Sequence, residues 1–336
     1  MQRATPLAAD LASRSPAPLH TIIITVRVLE KLGHSVDALL DGSGITTTDL
    51  TKPDLIVSHA QELIVLANAL RVTEDESIGL TIGKAIPVTA YGARGHAMLV
   101  SPTLRDALNL AYAYPLLAIT YFKSVLHEYD DDAVITIGGY AYRSDLRILN
   151  TAMCVGASVR EVSDLVQPLP AFKRITFDFP RPSHPERYEA LLGCEVLFDM
   201  PSTSIVMPRR YLSSPLFYHR EIEYEVARNL CEQRERELRA WKPDRIVTRA
   251  LQCLHEYGGV LKSEELAGLI GVSHRGMQRE FERAGVSYRR LRDEVRRARA
   301  LEYHGHAGSS AKALARELGY GSTYALKRAK ARWDGR

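Results

Sequence analysis

Two glycine-broken pairs of short helical patterns near the C-terminus constrain this chain more than any other feature of its 336 residues. Pro243 stops a long polar helix, and the first pair follows it. Ile246, Val247, Ala250, Leu251 and Leu254 recur at helical spacing up to Tyr257-Gly258-Gly259. Ser263 is placed to cap a second helix over 264–270, Gly271 permits a sharp turn, and Ser273 is placed to cap a third over 274–283. The pattern then recurs. Ser309-Ser310 precedes a helix over 311–318, Gly319-Tyr320-Gly321 turns the chain, and Ser322 opens a last helix with Leu326, Ala329 and Trp333 on one face. Two short helices joined by such a turn read as a helix-turn-helix, here written twice. A basic helix from Tyr288 to about Tyr303 lies between the two, and its length of about 24 Å suits two units held about one duplex turn, ~34 Å, apart.

The outward residues of these helices have the chemistry of nucleic-acid readers. In the third helix Met277 and Phe281 turn inward, which leaves Arg275, Gln278 and Arg279 on the opposite side. In a major groove Arg pairs with guanine O6 and N7, and Gln with adenine N6 and N7. Lys327 and Arg328 stand opposite the apolar face of the last helix. From Asp244 to the end the chain carries 19 Lys and Arg against 11 Asp and Glu, a net +8 within a total of +4, so the preceding residues carry −4. An acidic front and a basic back imply a nucleic-acid-binding module joined to something that is not one.

The front is expected to be α+β, helix-rich with a small sheet, and the back all-α. Residues 1–20 are rich in Ala, Pro and Ser without periodicity and read as a flexible lead-in. Helical spacing begins with Ile22, Ile23, Val26 and Leu29 and continues through 36–40, 60–70 and 78–82. Pro102-Thr103 opens a further helix with Leu104, Leu108, Ala111 and Tyr112, and 151–166 reads as another. Three stretches alternate as strands do: 133–142, 172–179 and 195–207. The regulatory domain is placed at 21–215, a helical linker at 216–243 and the DNA-binding domain at 244–336. Within the linker, 221–241 is a charged helix with Ile222, Val226, Leu230 and Leu238 on or near one face. A single apolar stripe on so polar a helix needs a partner, either its own domain or a second copy.

Two stretches resemble the AraC/XylS family of transcription regulators. Leu266-Ala267, Val272 to Phe281 and Gly285-Val286-Ser287-Tyr288 are similar to its first helix-turn-helix; Ala313 to Tyr320 with Leu326-Lys327-Arg328 are similar to its second. Gly92-Ala93-Arg94-Gly95, Ser101 to Leu108, Pro185-Glu186-Arg187-Tyr188 and Leu192 to Val196 resemble the arabinose-binding-like front domain of ornithine-utilisation and virulence regulators. The resemblance implies a promoter-binding regulator, an activator, tuned by a small molecule and working with RNA polymerase. It places base contacts at Arg275, Gln278 and Arg279, and at Thr323, Tyr324, Lys327 and Arg328. The second unit departs from the pattern: Lys330 stands where an aromatic is usual, and the chain stops at Gly335-Arg336 before the family's closing segment. A loosely held second reading helix is therefore expected.

For the small molecule, tyrosines at 91, 112, 114, 121, 140 and 142 offer rings and hydroxyls. Tyr91, Arg94, Tyr112 and Tyr121 are the effector candidates. The alternative is a front domain that only oligomerises. No converging polar set suggests an enzyme. Gly92 to Gly95 lacks the GK[ST] ending of a phosphate loop. Asp130 to Asp132 lacks the further spaced ligands of a calcium loop. Cys154, Cys194, Cys231 and Cys253 are isolated, and His304-Gly305-His306 has no third ligand, so neither a metal nor another cofactor is expected. No apolar run approaches the ~18 to 20 residues of a membrane helix, nor does the N-terminus read as a signal peptide, so a cytoplasmic, soluble protein is expected.

Overall fold

The computed structural model describes residues 16–52, 55–118, 121–168, 171–240, 246–247, 250, 253–254, 257–283, 287–304 and 310–333. Its internal contacts divide the chain into two compact units, Met1–Trp241 and Lys242–Arg336. Strand β1, Pro16–Pro18, opens the described chain, and α1 (His20–Lys31) and α2 (Val36–Leu40) follow. β2 (Ile56–Ser58) pairs antiparallel with β1. Within the stretch 1–20, read as a flexible lead-in, Ala17 and Leu19 are buried and Pro16–Pro18 pairs with β2, so the lead-in does not extend to these residues. Residues 1–15 lie outside the described residues. α3 (His59–Thr73) starts on a capping box in which Ser58 and Gln61 bond each other's backbone N–H. α4 (Ile78–Lys84), α5 (Gly92–Leu99) and α6 (Leu104–Ala113) complete the leading helices.

A five-stranded sheet follows, built from β3 (Lys123–Glu128), β4 (Asp132–Gly138), β5 (Arg174–Thr176), β6 (Glu195–Leu197) and β7 (Thr203–Pro208) in the order β3-β4-β7-β5-β6. Only the β5–β6 pairing is parallel. β4 buries Ala133, Ile135 and Ile137 alternately, as its sequence pattern requires. Other strand expectations need correction. The stretch 133–142 stops at Gly138, because Gly139 takes a φ of +76°. The stretch 195–207 is two strands, interrupted by Asp199 at a φ of +57° and by Pro201. Strand β3 was not legible, being an edge strand without a buried residue. Of residues 172–179 only 174–176 form a strand, with Lys173 and Phe177 adding one backbone bond each to Val206 and Leu197, although Phe177 and Phe179 are fully buried.

Helix α7 (Arg147–Leu165) runs between β4 and β5 and serves two cores, with α8 (Glu186–Leu192) between β5 and β6. One core sets Val155, Val159 and Val162 of α7 with α6 and the sheet. The other sets Leu149 and Met153 with α1 to α4. α4 crosses α7 so closely that only glycine fits: a Cβ on Gly79 would lie 2.1 Å from the Leu149 carbonyl oxygen, and one on Gly83 2.2 Å from that of Met153. α9, Glu221–Ala240, closes the first unit by burying Ala227, Cys231, Glu235 and Leu238.

In the second unit, Ile246, Val247, Ala250, Cys253 and Leu254 pack with α10 (Ser263–Leu269), α11 (His274–Arg283) and α12 (Tyr288–His304). α13 (Ala311–Glu317) and α14 (Thr323–Trp333) end the described chain.

Candidate nucleic-acid interface

α10 and α11 form the first helix-turn-helix. Its cap differs from expectation: the helix begins at Ser263, and the Glu265 carboxylate accepts from the Lys262 N–H at 2.7 Å. Gly271, at a φ of +72°, makes the turn. Ser273 then caps α11, its Oγ accepting from the Gly276 N–H at 3.1 Å. Met277 and Phe281 are buried against Leu266, Ala267 and Ile270, which fixes the rotation of α11 about its axis. That rotation leaves Arg275, Gln278 and Arg279 exposed together. Arg279 lies 3.6 Å from Glu280, too long for a firm ion pair at a side chain two-thirds exposed. One residue escaped the sequence reading. The Nε2 of His274 lies 2.8 Å from Ser263 Oγ and 3.4 Å from the Gln278 amide nitrogen, so it ties the start of α10 to the side chain aimed outward. Its position one place after the cap was the available signal.

α13 and α14 repeat the arrangement, with Ser310 and Ser322 accepting from the N–H groups of Ala313 and Ala325. Leu326 and Ala329 are buried, while Thr323, Tyr324, Lys327 and Arg328 are exposed. Lys330 is half-buried. Two further contacts hold this helix besides the buried Leu326 and Ala329. Trp333 packs on Tyr320 with ring centroids 6.3 Å apart. Arg332 grips the Asp293 carboxylate of α12 through two nitrogens, at 2.8 and 3.0 Å.

The effector candidates are interior groups of the first unit, divided between two clusters. Arg94 pairs with Glu161 at 2.6 Å, donates to the Ala111 carbonyl and lies 4.7 Å from the centroid of the Tyr91 ring. Burial works against the charge of Arg94, but Glu161 outweighs it and leaves the guanidinium pKa above its ordinary value. Tyr112 stands close enough to feel both charges, its hydroxyl pKa raised first by burial and then by Glu161. In the second cluster Tyr121 donates to Glu62 at 2.6 Å. Burial lifts the Glu62 carboxyl pKa to about 7, against the hydrogen bonds from Tyr121 and Thr21. His59 lies 3.2 Å from the Tyr142 hydroxyl, and burial lowers its pKa to about 4. Asn150 donates to Tyr140 at 3.0 Å. In the first unit the buried atoms His20 Nε2, Thr25 Oγ1, Asn150 Oδ1 and Tyr188 Oη find no hydrogen-bond partner among the described residues. Two open surface clefts, of about 470 and 630 Å³, are lined by other residues.

α9 also departs from its expected stripe. Leu238 faces its own unit, where the Glu235 carboxylate accepts from the Leu116 N–H at 3.1 Å. Ile222, Val226 and Leu230 instead stay exposed, at 81%, 63% and 41%.

The arabinose-binding domain of AraC transcription regulators matches residues 33–216 of this chain. The chain belongs to the AraC family. Its AraC relatives are transcriptional regulators rather than enzymes. The ornithine utilization regulator of Pseudomonas aeruginosa is 24% identical over 321 residues, covering 92% of this chain and 91% of its own length. An HTH-type transcriptional regulator of Mycobacterium tuberculosis is 23% identical over 327 residues, covering 95% and 94%. The solved structure of the transcriptional regulator CdpR from Pseudomonas aeruginosa aligns with a TM-score of 0.41 at 18% identity, covering 81% of this chain and 94% of its own. By its family this chain is a DNA-binding transcription regulator, and its described residues form an α+β front and a helical back. Among the described residues no helix is long and apolar enough to cross a membrane, and no three His, Cys, Asp or Glu side chains are grouped to hold a metal.

Proposed function

We propose that the protein reads promoter DNA through α11, with Arg275, Gln278 and Arg279 on base edges, and through α14, with Thr323, Tyr324, Lys327 and Arg328. The exposed trio of α11, opposite the buried Met277 and Phe281, carries this reading. The net +8 of residues 244–336 supplies phosphate attraction. Affinity of the full chain for its operator should fall with salt, with a log–log slope of roughly −0.9 per phosphate neutralised. A salt-independent affinity refutes it.

We further propose a cytoplasmic activator that engages RNA polymerase when a small, partly apolar effector occupies the first unit near Tyr91, Arg94, Tyr112 and Tyr121. Support comes from the matched domain's description and from the buried Nε2 of His20, which has no hydrogen-bond partner among the described residues and whose ring packs edge-on to Tyr91 at 5.0 Å. Thermal shift of the full chain against pentoses and amino acids, ornithine included, tests the effector. A reporter promoter tests the direction of control.

A second reading has support of its own: a first unit that only oligomerises, through the exposed Ile222, Val226 and Leu230 of α9 beside Phe217 and Tyr218. Three of the four effector candidates, Tyr91, Arg94 and Tyr121, already have partners inside the first unit, which favours that reading. Dimerisation without any ligand-induced shift would select it.

A further inference from the structure

Among the described residues the two helix-turn-helices close on separate apolar clusters. One cluster closes on Leu291 and Val295 of α12, the other on Ala300 one turn further along. A helix alone fixes the distance between its ends, but not how each partner pair is rotated about its axis. At the junction sits Arg296, whose residue is only 5% exposed. Its Nε donates to the Gly259 carbonyl at 2.8 Å, and its Cζ lies 4.5 Å from the centroid of the Tyr320 ring. Gly259 belongs to the turn before α10, and Tyr320 to the turn between α13 and α14.

Both turns are built to approach this side chain. Gly259 and Gly319 take φ angles of +72° and +70°. A Cβ on Gly259 would lie 2.9 Å from Arg296 Cγ. One on Gly319 would lie 2.9 Å from Val260 Cγ1 and 3.2 Å from Arg296 Nη2. One guanidinium thus bonds the turn that leads into the first helix-turn-helix through its edge and covers a ring of the second helix-turn-helix with its face. A lysine ammonium has neither the planar fork nor the flat face to do both.

We infer that Arg296 is a positioning residue for two-site reading: it locks the angle between α11 and α14, so that an operator is read at one half-site spacing only. This rests on the proposal that both helices contact bases. One extra base pair moves the distal half-site by about 3.4 Å and turns it by about a tenth of a revolution, which a locked pair cannot follow.

The test is selection from a random duplex library by the full-length wild-type chain and by Arg296→Met, Arg296→Lys and Tyr320→Leu. Wild type should select two sequence blocks at a single spacing. A one-base-pair insertion should then cost it roughly tenfold in affinity, as one mismatched pair does. All three variants should keep the base preferences of each block, yet accept several spacings or lose the distal block. Their insertion penalty should fall to roughly threefold or less, below that of a mismatched pair. Single-spacing motifs in the variants overturn the inference, as do altered bases within the proximal block, which would make Arg296 a reader rather than a positioner. Thermal melting checks folding; if Arg296→Met unfolds, Tyr320→Leu, which leaves the arginine in place, decides alone. Failure of the wild-type chain to select any motif would instead remove the DNA-reading proposal itself.

Discussion

Replacing Glu161 by Leu tests whether Arg94 is a structural charge or one held for a ligand. The carboxylate lies 2.6 Å from the guanidinium, and the two side chains are only 9% and 6% exposed. Removing it strands a buried cation with one carbonyl bond and the face of Tyr91. Breaking a buried pair costs about 3 to 5 kcal/mol; the Tyr91 ring, a cation–π contact of up to about 2 kcal/mol when desolvated, favours the lower end. At about 2 to 4 °C per kcal/mol for a unit of this size, Glu161→Leu should lower the first calorimetric transition of the full chain by roughly 10 °C. Arg94→Met should do the same by stranding the carboxylate. The double variant, with no buried charge left, should melt within a few degrees of wild type. Additive losses, or single variants that melt like wild type, would refute the reasoning. Single variants that melt normally but lose an effector-induced shift would show that Arg94 is a ligand contact.

Three other outcomes are expected. Gln278→Ala and Arg279→Ala should each cost about 1 to 3 kcal/mol at the operator and little on scrambled duplex; competition binding checks this, and Arg328→Ala in footprinting should weaken only the distal half. Ile222→Glu with Val226→Glu should leave the protomer folded, since both side chains are exposed, and should shift a dimer to monomer in sedimentation if α9 pairs two copies. Glu62 holds in the native state a proton that the unfolded chain releases near pH 4.5. Its contribution is therefore intact below that pH and is lost as pH rises through about 7. Glu62→Gln, neutral throughout, should gain on wild type by about 3 kcal/mol between pH 5 and 8 in urea titrations. His59 acts in the opposite sense between about pH 4 and 6.5, so the difference between the two curves is what counts.

Most of the second unit was legible because its determinants are local. A serine cap, a glycine at positive φ and an i, i+4 apolar pair lie within a dozen residues, so Ser273, Gly271, Met277 and Phe281 prescribe α11 and, by subtraction, its outward trio. The helices of the first unit and strand β4 were legible by periodicity for the same reason. Strand β3 and the pairing of β1 with β2 were not, because an edge strand or a proline-bearing one is defined by the partner that accepts it.

The sequence by itself determined the α+β front, the all-α back, the doubled helix-turn-helix, the uneven charge and the outward groups of α11 and α14. Only the tertiary structure decided what meets across long separations. It set Arg94 against Glu161, Tyr121 against Glu62, α9 with one apolar face buried and another exposed, and Arg296 between two glycine turns. Such contacts depend on which surfaces the packed helices bring within a few ångströms of each other. Periodicity says only that a residue turns inward, not which buried charge or ring it will meet there.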